Sequence, residues 1–175
     1  MLRTALAAAS LGAALALVPV ASASAQTVTA IVNSFQEVPA VSSAGNGRFR
    51  GDLTNDTMEY RLGWSNLGSG VTQAHIHLGR RLTNGGVMVF LCSNLEGAPD
   101  GVQPCPVGDG TIAGTITADD VIGPAEQGVE AGEFNELREA IRRNAAYVNV
   151  HTVDFPAGEI RGQITPLLRT MREFD

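Results

Sequence analysis

Met58-Glu59-Tyr60-Arg61-Leu62-Gly63-Trp64-Ser65 places an apolar side chain at every second position. Met58, Tyr60, Leu62 and Trp64 fall on one side, Glu59 and Arg61 on the other. A period of two is the pattern of a β-strand with one face against a core. The preceding stretch, Gly47-Arg48-Phe49-Arg50-Gly51-Asp52-Leu53, alternates in the same way, with Phe49 and Leu53 opposite the arginines. Thr54-Asn55-Asp56-Thr57 between them has turn chemistry. The two stretches read as a hairpin whose aromatic residues belong to the core.

Moving outward, the same pattern recurs. Thr27–Ser34 alternates around Val28, Ala30 and Val32 and reads as the first strand. Pro39 ends or edges the pairing after Phe35-Gln36-Glu37-Val38. Val87-Met88-Val89-Phe90-Leu91-Cys92 is apolar on both faces, as an internal strand is. Thr111–Thr117, Ala146–Val153 and Glu159–Ile164 are further strands. Helical periodicity is convincing only over Glu133–Arg143, where Phe134, Leu137 and Ile141 share a face. Its glutamates come early and its arginines late, the favourable order along the helix dipole. About nine short strands with turn-rich connections predict an all-β fold. The expected architecture is an antiparallel, Greek-key-like sandwich or barrel of about 8–9 strands with one short capping helix.

The bulk properties set the surroundings. Arg3, the Ala- and Leu-rich run Leu6–Val20 and Ala23-Ser24-Ala25 have the layout of a signal peptide over residues 1–25. No other segment reaches the ~18 consecutive apolar residues of a membrane span. The chain carries a formal net charge of −6, and all of its basic residues are arginine. An acidic chain without a basic run does not suit nucleic acid or anionic membrane surfaces. The expected location is periplasmic or secreted. There, two cysteines, Cys92 and Cys105, read as one disulfide pinning the Gly-, Pro- and Asp-rich loop Ser93–Gly110.

All three histidines lie in two of the strands. His75 and His77 in Ala74-His75-Ile76-His77-Leu78-Gly79 are two apart, so they point the same way ~6.6 Å apart along the strand. His151 in Tyr147-Val148-Asn149-Val150-His151-Thr152 joins them if its strand lies alongside.

Several of these stretches, taken in order, resemble the CHRD domain. They are Phe35-Gln36-Glu37-Val38-Pro39, Ala74-His75-Ile76-His77, Leu91-Cys92, Gly114-Thr115-Ile116-Thr117-Ala118-Asp119-Asp120, Tyr147–Thr152 and Phe155–Ile164. That domain is named after chordin, an extracellular antagonist of bone morphogenetic proteins, and occurs in many microbial exported proteins. The resemblance implies an extracytoplasmic β-domain over residues 26–166, followed by a tail at 167–175. Arg80-Arg81 depart from the small residues and Pro that the family tends to carry after its His-x-His stretch.

Three roles for these residues compete. The first is a binding module for an extracytoplasmic protein or glycan, in which Arg48, Arg50, Arg61, Asn149, Glu159 and Arg161 form one ligand face. Arginine forks there would hold carboxylate, sulfate or glycan groups. The second is a Cu or Zn site built from His75, His77 and His151, with Asp154, Glu159 or Asn149 as a fourth or supporting group. Its His-x-His strand resembles the copper-binding strand of copper/zinc superoxide dismutases, which would imply redox chemistry. The third is a structural polar layer with every imidazole satisfied by protein groups. No nucleophile elbow or recognisable carboxylate pair marks a hydrolase. The sequence is therefore read as a binding module, with no catalytic residues assigned, and the three-His metal site as its alternative.

Overall fold

The computed structural model describes residues 25–167. Residues 1–24 of the segment read as a signal peptide and 168–175 of the tail lie outside the described residues. Nine strands form one sheet: β1 (Gln26–Asn33), β2 (Asn46–Leu53), β3 (Met58–Ser65), β4 (Val71–Leu78), β5 (Val87–Ser93), β6 (Gly110–Ile116), β7 (Ala146–Thr152), β8 (Ile160–Gln163) and β9 (Thr165–Pro166). The spatial order is β5-β4-β7-β8-β1-β2-β3-β6, with β9 added on β1. All pairings are antiparallel. The sheet curls into a nearly closed barrel, so of the two predicted architectures the barrel is the one that forms.

The β2–β3 hairpin forms in the register its alternation dictates, with Phe49 opposite Leu62 and Leu53 opposite Met58. Tyr60 has Gly51 across one side and Gly114 across the other. A Cβ on Gly114 would sit 3.0 Å from the Tyr60 ring. Gly114 thus leaves room for the Tyr60 ring, while a Cβ on Gly51 would press on Met58 and Val28 instead. Val28, Ala30, Val32, Phe49, Leu62, Ile76, Val148 and Ile160 fill the barrel interior. Helix α1 (Phe134–Arg142), one residue shorter at each end than predicted, adds Phe134, Leu137, Ala140 and Ile141 to the same core.

The barrel stops one pairing short of closure, between β5 and β6. Side chains and loops bridge this seam. Tyr60 donates its hydroxyl to Leu91 O on β5. The Gln103 amide donates to Tyr60 Oη and to Ala113 O on β6, while Gln103 O accepts from Ser93 N on β5. Ile122 N donates to Met88 O. Gln103 belongs to the loop held by the predicted Cys92–Cys105 disulfide, which is formed. Replacing both cysteines by alanine is expected to lower stability by about 3 kcal/mol, the cross-link value for a loop of this length. Urea unfolding would measure it; an unchanged midpoint would mean that the Asn94 bonds to Val71, Cys105 N and Cys105 O hold the loop alone.

Candidate metal centre

The cluster is built by strand parity. β4 and β7 pair so that His75 lies opposite Asn149, His77 opposite Tyr147 and Gln73 opposite His151. β8 continues the face, with Arg161 opposite Asn149 and Gln163 opposite Tyr147. These side chains point away from the barrel core, because their neighbours Ala74, Ile76, Val148 and Val150 fill it. All but the half-buried Gln73 are nevertheless buried, because loops fold over them from both sides. The imidazoles of His75, His77 and His151 are 3, 8 and 7 % exposed.

The loops also fix the protons. A carbonyl oxygen only accepts, so His77 Nδ1, 3.0 Å from Gly85 O, carries a hydrogen. His151 Nδ1, 3.0 Å from Pro156 O, does too. In each neutral ring the Nε2 is then a bare lone pair. His77 Nε2 has no partner, and neither has His75 Nε2. His151 Nε2 lies 3.2 Å from His75 Nδ1. One nitrogen from each ring falls within 4.8 Å of the others. With His151 Nε2 a lone pair, His75 Nδ1 carries the hydrogen shared between them, which leaves Nε2 as the bare lone pair of the His75 ring. Burial holds all three rings neutral: His75 is pulled down to about 3 with help from its two neighbours, and His77 to about 4. His151 is lowered in the same way.

Aromatic and charged groups frame the cluster. The edge of Phe90 meets His75 with ring centres 4.2 Å apart. Tyr147 stacks parallel on His77 at 4.8 Å, and Gly85 N donates to its hydroxyl. Arg161 covers the other face of Tyr147, 3.4 Å from the ring centre. Only 2 % of Arg161 is exposed, and its fork donates to Asn84 Oδ1, Arg80 O and Thr83 O. Glu37 accepts a bond from Asn149 Nδ2, and burial pushes its carboxyl up to about 7 against the pull of Arg161.

A CHRD domain family model matches residues 28–164. The chain belongs to the CHRD domain family. No curated protein matches it in sequence. The matched span runs from β1 to just past β8, so the nearly closed barrel, the histidine cluster and its covering loops all lie within the CHRD domain. The disulfide in this CHRD domain is compatible with an exported protein. No helix among the described residues is long and apolar enough to cross a membrane.

The predicted ligand face of the CHRD domain does not form as one surface. Arg48, Arg50 and Arg61 are exposed on the outer side of β2 and β3. Asn149 and Arg161 are buried beside the histidines, on the far side of β1. Glu159 leaves the pattern altogether: its carboxylate accepts from Thr152 Oγ1 and Gly68 N. Glu159 sits in the bend before β8, which begins only at Ile160, so the alternation that would have aligned it with Arg161 does not extend to it. Asp154 is exposed and its backbone is tied to Ser69. None of Asp154, Glu159 and Asn149 therefore joins the cluster, which consists of the three histidines. The sequence reading gave no role to Glu37, Phe90, Tyr147 or the Gly85 and Pro156 carbonyls. Of these only Tyr147 carried a signal, since it shares the parity of Asn149 and His151.

Proposed function

We propose that this CHRD domain binds one transition-metal ion, Cu or Zn, through His75, His77 and His151. The observation that supports it is the pair of buried, unpartnered lone pairs on His75 and His77. Buried polar atoms in folded proteins are overwhelmingly hydrogen-bonded. A purely structural polar layer would have satisfied both. The rest of the arrangement has the form of a ligand shell, because metal-binding histidines almost always donate their other ring N–H to a carbonyl or carboxylate. Gly85 O and Pro156 O take that part for His77 and His151. The chain's own residues orient the rings, hold the protons on Nδ1 and keep water away with Phe90 and Tyr147. A copper ion bound there would supply one-electron chemistry.

The test is metal analysis of the tag-free protein, then Cu(II) and Zn(II) titration of the wild type and of His77→Ala. The wild type is expected to bind close to one equivalent, and the variant to lose it with its circular dichroism spectrum unchanged. Absence of metal from, and of binding to, the wild type would sink the reading.

A second reading keeps the domain as an interaction module for an anionic extracytoplasmic protein or glycan. Three exposed guanidinium groups on β2–β3, Arg48, Arg50 and Arg61, favour it. It is compatible with a metal centre, since that face lies across β1 from the histidines. Export of the chain is part of both readings and is supported by the signal-peptide-like start and the disulfide.

A further inference from the structure

We propose that the three-histidine centre is matched to monovalent copper, Cu(I), and held three-coordinate, in preference to Zn(II) or Cu(II). The inference rests on the metal-centre reading above and concerns its valence and ligand number.

The ligand set carries no charge. Three neutral imidazoles converge, and no carboxylate or thiolate stands with them among the described residues. Both cysteines are in the disulfide. Glu37 is bonded by Asn149, and the one buried arginine among the described residues, Arg161, sits behind Tyr147. Against the rings pack Phe90 and the face of Tyr147, whose hydroxyl is engaged by Gly85 N. A metal ion entering here must keep its full charge in a buried, weakly polar place. The Born cost of that transfer grows as the square of the charge, so a dication meets about four times the penalty of a monocation of similar size.

Coordination number points the same way. Zn(II) takes four ligands, three from protein and a water when the protein offers only three. The side chains read from the sequence as a fourth ligand are elsewhere: Glu159 on Thr152 and Gly68, Asp154 at the surface, Asn149 on Glu37. Cu(I) is a closed-shell ion content with three imidazoles in a plane, whose nitrogens would then lie about 3.5 Å apart at ordinary Cu–N or Zn–N distances. One nitrogen of each ring lies within 4.8 Å of the others, and rotation of the rings closes the remaining distance. The features that penalise the dication also favour the reduced ion over Cu(II) at the same ligands.

The experiment is an anaerobic competition of the full, disulfide-intact chain with bicinchoninate for Cu(I), using ascorbate rather than a thiol as reductant. Parallel competitions use Zn(II) with a zinc-binding dye and Cu(II) with glycine. One Cu(I) per chain is expected, held at least roughly 100-fold more tightly than Zn(II). X-ray absorption on the Cu(I) form is expected to fit three nitrogen ligands. Zn(II) bound as tightly as Cu(I), or a fourth ligand on copper, would overturn the valence and coordination assignment while leaving the metal centre standing. Binding of none of the three ions would overturn both.

Discussion

Arg161→Ala is expected to destabilise the domain by about 3–5 kcal/mol, enough to shift the thermal midpoint by roughly 10 °C. The side chain is buried and its two terminal nitrogens serve three acceptors on the loop over the histidines, Arg80 O, Thr83 O and Asn84 Oδ1. Its removal strands those acceptors and uncovers the face of Tyr147. Leaving buried partners unsatisfied is what makes such a truncation costly. Arg161→Lys is expected to recover little, because a point-like ammonium cannot hold a planar fork of acceptors and lie flat on a ring. Thermal unfolding of the two variants, followed by circular dichroism, checks both statements. A lysine variant as stable as the parent would mean that charge alone matters at this position.

The metal-free protein is expected to lose stability steeply on acidification between about pH 6.5 and 4.5. Above pH 6.5 the histidines are neutral in both folded and unfolded chains. Below it the unfolded chain takes up three protons, while burial keeps His75 and His77 neutral in the fold and delays the protonation of His151. The state that binds more protons gains as pH falls, so unfolding becomes easier. Glu37 acts in the opposite sense. Its folded carboxyl, raised to about 7, is protonated in a window where the unfolded one has released its proton. The net uptake on unfolding is then about one to two protons, each worth roughly 1.4 kcal/mol per pH unit. Urea midpoints from pH 7.5 to 4.5 would measure the slope. A flat profile would contradict the buried, neutral state of the cluster. Replacing Glu37 by glutamine is expected to steepen the profile, since the opposing proton is lost.

The alternation in β3 and β2 carried the fold, because a residue's parity along a strand decides which side of a sheet it faces. The same rule brought His75 and His77 to one side from two positions of sequence. His151 was a different matter: its approach depends on β4 and β7 pairing across 76 residues of chain, and local pattern contains no register information over that distance. Parity also marked Arg48, Arg50, Arg61 and Arg161 alike as pointing out of the core. It cannot say how far around a curled sheet a residue's strand lies, nor what covers it. That is why three arginines ended in solvent and the fourth under a loop. The covering loops around Glu37, Gly85 and Pro156 have no periodicity to read, and the alternating stretch read from Glu159 onward becomes a strand only from Ile160, which left Glu159 off the expected face.

The gap between β5 and β6 bears on how copies of this chain meet one another. A sheet with two unpaired margins is a template on which strands of another molecule can be laid, the route by which β-proteins polymerise. Here the margins are already occupied from within: Ile122 N on Met88, the Tyr60 hydroxyl on Leu91, and Gln103 spanning Ser93 and Ala113. The disulfide-held loop contributes the Gln103 bonds to this cover, while Tyr60 and Ile122 supply the rest from outside it. Reduction of Cys92–Cys105 is therefore expected to loosen that cover and make the two margins more prone to pair with another copy, which light scattering with and without reductant would show.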